Sequence, residues 1–178
     1  MGDLRLRAVT PDDAEAIAAI YAYYVTDTAI TFEEEAPDAT EFRQRIAAVT
    51  TRFPWLVAER DGAILGYAYA DLFRTRAAYR WAAETTVYLA RGAERQGIGR
   101  ALYLPLLDAI RTQGYVTAIG AVTLPNPGSA ALHEALGFRR IGTYHGVGYK
   151  LDRWHDVGLW QCDLTPRPAM PKEPIAQV

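Results

Sequence analysis

Residues 94–103 read "ERQGIGRALY" and place two glycines between an apolar run, "TVYLA" at residues 86–90, and a helical pattern of apolar residues. A turn between a strand and a helix presents unpaired backbone N–H groups at the positive end of the helix dipole, so it is suited to bind phosphate. No Gly-Lys-Ser/Thr sequence follows, which argues against a P-loop, and Gly97 and Gly99 are only part of the dinucleotide-binding fingerprint. From the residues alone, two interpretations of this segment are possible: a phosphate-binding site or a structural glycine turn.

Outward from this turn, the hydropathy pattern predicts a mixed α/β fold whose elements follow the order β-α-α-β-β-β-α-β-α-β-β. Asp38, with Glu41 three residues later, predicts the start of the second helix through a capping box. Asp61-Gly62 predicts the tight turn of a hairpin. Residues 26–37 are predicted to form an exposed loop between the first two helices.

The composition predicts one domain over residues 1–164, since half of the 178 residues are apolar and can bury one sizeable core. Residues 165–178 contain four prolines, which predicts a disordered tail. The net charge of -2 and the pI near 5.9 provide no basic surface for nucleic acid. The sequence has no apolar run for export or a membrane span, and the single cysteine, Cys162, fits a reduced, cytoplasmic protein.

A carboxylate interrupts the apolar strand predicted for residues 81–90. Alternation places Glu84, Thr86 and Tyr88 on one face of this strand. A buried carboxylate costs free energy unless it is satisfied, so Glu84 is either a paired structural acid or a general base, and the spacing leaves both open.

Two further groups of polar residues are candidates for a site, and a third is excluded. On the helix predicted from Asn126, His133 shares a face with Asn126 and Ser129. His133 is therefore either a surface residue or a catalytic one. Asn126 itself is a candidate N-cap of this helix. Residues 72–81, "LFRTRAAYRW", offer arginines that are either solvated or able to clamp an anion. The "WHD" at residues 154–156 indicates no metal site or triad, because adjacent strand residues project to opposite faces.

The chain resembles the GNAT superfamily of N-acetyltransferases, whose acetyl-CoA loop reads Gln/Arg-x-x-Gly-x-Gly/Ala after the fourth strand. Residues 94–99 match at both glycines and depart from the pattern at Glu94. Within the superfamily, "WAAETTVYLA", "LPNPGSAALHEALGF" and "WHDVGLWQCDL" are similar to motifs of the phosphinothricin/methionine sulfoximine acetyltransferase family. These motifs begin at residues 81, 124 and 154.

The resemblance implies a GNAT fold, with a central twisted mixed sheet of about seven strands flanked by about four helices. It implies acetyl-CoA as co-substrate, a small-molecule amine as substrate, a homodimer, and catalytic roles for Glu84 and His133. The residues implied to bind the cofactor are Val87, Tyr88, Leu89, Arg95, Gln96, Gly97, Ile98, Gly99, Arg100, Asn126 and Ser129. Those implied to bind the substrate are Phe32, Glu33, Arg74, Thr75, Arg76, Thr85 and Thr86, with Arg76 the best match to a family arginine.

These expectations combine into an N-acetyltransferase that moves acetyl from acetyl-CoA directly to the α-amine of a small amino acid, with Glu84 as the base. The family resemblance implies phosphinothricin, methionine sulfoximine or methionine sulfone as examples of that amino acid. Direct attack is favoured because Cys162, the single cysteine, lies outside the segments that carry the implied site residues. Tyr88 is an alternative to His133 as the acid. The same chemistry on another small amine, or a non-catalytic acetyl-CoA sensor with an idle Glu84, remains as an alternative.

Overall fold

The computed structural model of the protein describes residues 2–176. Its helices are α1 (Ala14–Asp27), α2 (Ala39–Thr50), α3 (Ile98–Thr112) and α4 (Pro127–Ala135). Its strands are β1 (Arg5–Ala8), β2 (Trp55–Arg60), β3 (Ala63–Leu72), β4 (Ala82–Leu89), β5 (Thr117–Thr123), β6 (Arg139–Lys150) and β7 (Arg153–Asp163). The mixed α/β class and the predicted order of elements are confirmed.

The strands form one sheet in the order β1-β2-β3-β4-β5-β7-β6, and β4 and β5 are its parallel pair. These two strands pair only where Ala82–Glu84 lies beside Thr117–Ile119. Beyond Glu84, β4 continues to Leu89 without β5 beside it, while β5 stays paired to β7 as far as Thr123. The sheet therefore opens at its centre and leaves one edge of β4 without a strand partner.

Helices cover both faces of the sheet. Leu102 and Leu106 of α3 pack with Ala83 in one apolar cluster, whereas the buried faces of α1 and α2 pack with Tyr67 in a second. Tyr88 borders the second cluster and Ala83 belongs to the first, so the alternation predicted for β4 is confirmed. The strand thus turns one face to each layer of helices, as a central strand must.

Local turn signals account for two element boundaries. The Asp38 carboxylate accepts a hydrogen bond of 2.8 Å from the Glu41 backbone N–H, which caps α2. The Glu41 side chain pairs with Arg45, so the reciprocal half of the predicted capping box is not made. Asp61 and Gly62 adopt φ values of 52° and 79°, which fits the predicted hairpin turn between β2 and β3.

The segment predicted as an exposed loop, residues 26–37, is partly buried. Helix α1 continues to Asp27, and Thr31 is 8% exposed. The Lys150 ammonium at the end of β6 donates to the backbone oxygens of Thr31 and Glu33, at 2.8 Å each. The prediction of exposure was wrong for this part of the loop because the contact with β6 is not encoded locally.

Residues 165–176 also differ from the predicted disordered tail. They have no helix or strand, as expected from the prolines, but they lie along the domain. Trp81 Nε1 donates to the backbone oxygen of Lys172 at 2.7 Å, and the Ile175 N–H donates to the backbone oxygen of Gln113 at 2.9 Å. These contacts involve side chains and backbone far away in sequence, which composition does not reveal. Residues 177–178 of the predicted tail lie outside the described residues.

Candidate active site

The opening between β4 and β5 continues as a cavity of about 540 Å³. It runs from the unpartnered edge of β4 to the N-terminus of α3 and to α4. Of the residues implied to bind a cofactor, it is lined by Val87, Tyr88, Leu89, Arg95, Gly97, Ile98, Gly99, Arg100, Asn126 and Ser129. Gln96 points elsewhere, since its side chain accepts from Arg60 and donates to the Gly92 backbone oxygen.

The glycine turn closes one end of this cavity. Gly97 has a φ of 79°, in the left-handed region, and immediately precedes the first residue of α3. The backbone N–H groups of the first helical turn have no partners within the helix, so they and the helix dipole favour an anion here. Exposed Arg95 and Arg100 flank the turn. Glu94, the departure from the family pattern, accepts a hydrogen bond from the Gly92 N–H at 2.8 Å and so stabilises the loop itself.

A second cavity, of about 240 Å³, adjoins the first and shares Val87, Tyr88, Asn126 and Ser129 with it. It is lined by both proposed catalytic residues, Glu84 and His133, which come from β4 and α4. The arrangement joins a long channel that fits an extended ligand to a small polar chamber. A reaction between two substrates needs such a junction.

Glu84 is half-buried at the point where β4 and β5 separate. Burial raises the pKa of its carboxyl group, the nearby charge of Asp71 raises it further, and Arg74 lowers it. Asp71 lies opposite Glu84 on β3. A carboxylate whose pKa is raised toward neutrality suits a general base, which favours that interpretation over a paired structural acid.

His133 is not a surface residue, because it is only 3% exposed. Its Nδ1 lies 2.8 Å from the backbone oxygen of Ser129, and its Nε2 lies 3.1 Å from the hydroxyl of Tyr103 on α3. Burial lowers the pKa of the imidazole, against a smaller opposite effect of the Ser129 hydrogen bond. Tyr103 is not among the site residues predicted from the sequence, although a hydroxyl on the otherwise apolar buried face of α3 was an available signal.

We expect Gly120→Ala to displace His133. A Cβ at Gly120 on β5 would lie 2.5 Å from His133 Nε2. The ring has little room to move, because the ring of Phe138 lies 5.0 Å away between centroids and that of Trp160 lies 6.2 Å away. Overpacking of this kind costs roughly 1–3 kcal/mol, measurable by urea denaturation. Gly142→Ala on β6 is the matched control, since nothing lies within 4 Å of its added Cβ; equal losses in both variants would contradict the prediction.

The residues implied to bind substrate are only partly brought together. Phe32, Thr85 and Thr86 line the second cavity. Arg74 is exposed, its guanidinium lies 5.0 Å from the Phe73 ring centroid, and its charge acts on Glu84. Thr75 and Arg76 are exposed beside the short turn that follows, outside the cavity lining.

Glu33 is committed to a structural contact. It forms an ion pair with Arg45, with an N–O distance of 2.8 Å, and accepts a hydrogen bond from the Tyr21 hydroxyl. This pairing fixes the loop that carries Phe32. Glu33 therefore has a structural role, since it stabilises the loop that forms one wall of the site.

The histidine and aspartate of "WHD" point away from each other. His155 is buried and its Nε2 donates to the Lys150 backbone oxygen at 2.9 Å, whereas Asp156 accepts from the Gly146 N–H at 2.7 Å. Within residues 2–176, no three His, Cys, Asp or Glu side chains are grouped so as to hold a metal ion. In the same residues, no helix has the length and apolar character needed to cross a bilayer.

Comparison with known proteins agrees with this geometry. A model of the acetyltransferase (GNAT) domain matches residues 6–159. Phosphinothricin N-acetyltransferase of Streptomyces viridochromogenes is 38% identical over 176 residues, 98% of this chain and 96% of that protein. A second phosphinothricin N-acetyltransferase, from Alcaligenes faecalis, is 45% identical over 162 residues, 90% of this chain and 82% of that protein.

Solved structures show the same fold. The crystal structure of a GNAT superfamily phosphinothricin acetyltransferase from Sinorhizobium meliloti in complex with acetyl-CoA is 35% identical, with a TM-score of 0.91. The match covers 97% of this chain and 95% of that one. The open sheet, the glycine turn and these similarities together show that the chain belongs to the GNAT acetyltransferase family.

Proposed function

We propose that the protein transfers acetyl from acetyl-CoA to the α-amine of a small amino acid such as phosphinothricin, methionine sulfoximine or methionine sulfone. The observation that carries the proposal is the position of Glu84. Its carboxylate is half-buried, has a raised pKa and lines the small polar chamber that adjoins the channel from the glycine turn. The names of the similar phosphinothricin acetyltransferases support this choice of substrate class.

The residues present fit acetyl-CoA. The edge of β4 from Val87 to Leu89 has no strand partner, and its backbone groups would bond the amides of a pantetheine arm as an added strand would. The Leu89 backbone oxygen on this edge also accepts from the Tyr24 hydroxyl at 2.7 Å. The N–H groups after Gly97, with Arg95 and Arg100, would hold the pyrophosphate. Asn126 already caps α4 by accepting from the Ser129 N–H at 3.1 Å, and both residues would border the cofactor. When bound, acetyl-CoA supplies an acetyl group activated as a thioester.

Glu84 would act as the base that makes the amine nucleophilic. An α-ammonium group must lose a proton before it can attack, and the acceptor is the Glu84 carboxylate in the lining of the smaller cavity. Its raised pKa makes the proton transfer easier than it would be to an ordinary glutamate. The attack is direct, because Cys162 does not line either cavity.

Tyr88 and His133 are the groups able to supply a proton to the leaving thiolate. Tyr88 lines both cavities, and burial keeps the pKa of its hydroxyl well above the ordinary value, so it stays protonated near neutral pH. Arg74 and Arg76 would bind the anionic groups of the amino acid, while Phe32, Thr85 and Thr86 form the walls.

The protein would act as a homodimer. The β6–β7 hairpin exposes Val147, Tyr149 and Trp154 by 55%, 54% and 67%. Exposed apolar side chains on an edge strand favour contact with a second copy. Light scattering coupled to size-exclusion chromatography measures the mass in solution, and a monomer at all concentrations would contradict this.

Thiol release from acetyl-CoA across a panel of amines tests the function. The panel holds phosphinothricin, methionine sulfoximine, methionine sulfone, ordinary amino acids, polyamines and a peptide N-terminus. We expect rapid turnover with the first three and little with the others. Turnover confined to polyamines or the peptide would overturn the substrate class, and silence in spite of acetyl-CoA binding would favour a sensor.

A further inference from the structure

The hydroxyl of Tyr103 lies at the point where the central strands separate. Tyr103 is 0% exposed, and its hydroxyl oxygen lies 3.1 Å from His133 Nε2, 3.3 Å from the Thr85 backbone oxygen and 3.4 Å from Thr85 Oγ1. Thr85 is the first residue of β4 beyond the pairing with β5, and it follows Glu84 in the chain. This one hydroxyl therefore links α3, α4 and β4 beside the proposed base.

The positions of the protons follow from the partners. His133 Nδ1 faces the backbone oxygen of Ser129, which can only accept, so Nδ1 carries a proton. Burial disfavours the charged imidazolium, so Nε2 carries none and must accept. Tyr103 is then the donor to Nε2, its nearest polar contact, while the Thr85 hydroxyl lies 3.4 Å from the Tyr103 oxygen and donates to the Ile119 backbone oxygen at 3.3 Å.

We propose that Tyr103 is a positioning residue whose hydroxyl proton fixes His133 as the neutral Nδ1–H tautomer and ties α4 to β4 beside Glu84. Both nitrogens of His133 are thereby engaged within the protein, so His133 orients the site and Tyr88 is left as the proton donor. The catalytic consequence rests on the proposed function. The tautomer rests on the geometry of the protein alone.

Two glutamates lie near this pair. The charge of Glu84 on β4 is, after burial, among the causes that raise the pKa of the Tyr103 hydroxyl, which stays protonated. Glu134 on α4 accepts a hydrogen bond of 3.4 Å from Trp160 Nε1, and the Trp160 ring packs near the His133 ring. From β5, Gly120 approaches the imidazole and contributes no charge.

Nitrogen-15 NMR of the protein without acetyl-CoA tests the proposal. In the wild type we expect His133 to be neutral, with the proton on Nδ1. Tyr103→Phe removes a hydrogen bond that stabilises the neutral imidazole of His133. The pKa of His133 should therefore rise by up to about one unit in a titration of its ring signals. Tyr115→Phe is the matched control, because Tyr115 is also 0% exposed and its hydroxyl accepts from Arg52, away from His133.

Kinetics supply the second measurement. Tyr103→Phe should lower kcat roughly ten-fold with the KM for acetyl-CoA unchanged, since the loss affects positioning and not binding. A proton on Nε2 in the wild type, or an unchanged His133 pKa in Tyr103→Phe, would overturn the proposal; if that variant does not fold, the wild-type tautomer decides. The expected NMR result without acetylation of any amine would uphold the pairing and reject the proposed function.

Discussion

Glu84→Gln should lower kcat about 100- to 10,000-fold, the range over which general base catalysis contributes. Gln keeps the size of the side chain but cannot accept the proton of an ammonium group. Binding of acetyl-CoA should be unchanged, because Glu84 lines the smaller chamber and is absent from the lining of the channel that leads to the glycine turn. Steady-state kinetics with phosphinothricin, together with calorimetric titration of acetyl-CoA, measure the two quantities separately. In a sensor protein the substitution would change neither turnover nor acetyl-CoA affinity appreciably, so an unchanged kcat contradicts the assignment of Glu84 as the general base.

Asp71→Asn is the matched control for this substitution, since it removes the other carboxylate of the pair that β3 and β4 place side by side. Glu84 is active when unprotonated, so activity falls as the pH drops through its raised pKa. Asp71 raises that pKa by its charge. The control should therefore retain kcat at high pH and move the acidic limb of the pH profile to lower pH. Arg74→Gln should move the limb to higher pH, because Arg74 lowers the pKa.

Gly97→Ala should weaken the binding of acetyl-CoA about 10- to 100-fold, the effect of losing one charge-assisted hydrogen bond to phosphate. Gly97 has a φ of 79°, and an added Cβ would meet no protein atom within 4 Å. Any loss of affinity that backbone strain does not explain would therefore come from contact between the added Cβ and the ligand, or from a shift of the N–H groups that bind the ligand. Isothermal titration calorimetry with acetyl-CoA gives the Kd.

Gly62→Ala separates strain from binding. Gly62 in the β2–β3 turn has the same φ of 79° and the same free space around its Cβ, and it does not line the channel. Both variants should lose about 1 kcal/mol of stability, because a Cβ is disfavoured in the left-handed region. Only Gly97→Ala should lose affinity. An equal Kd in both variants would place the phosphate site elsewhere.

Local sequence patterns were enough to predict the elements of this fold. The spacing of apolar residues distinguishes strands from helices, because side chains return to the same face at a different interval in each of these regular backbones. Asp38 and Asp61-Gly62 mark a cap and a turn through their own backbone preferences. The same holds for Gly97, whose left-handed conformation opens α3. Spacing along the chain made Glu84 and His133 candidates, and the resemblance to a family implied their catalytic roles, with no information on their surroundings.

The sequence by itself determined the order of the elements, the glycine turn and the alternation that brings Glu84 to one face of β4. Only the tertiary structure decided where β4 and β5 separate, that Asp71 raises the pKa of Glu84, and that His133 is buried against Tyr103. It also showed that Gln96 and Glu33 turn to structural partners. The physical reason is that hydropathy and turn preferences act between near neighbours in the chain, whereas desolvation, charge and hydrogen bonding at the site depend on residues that only folding brings together.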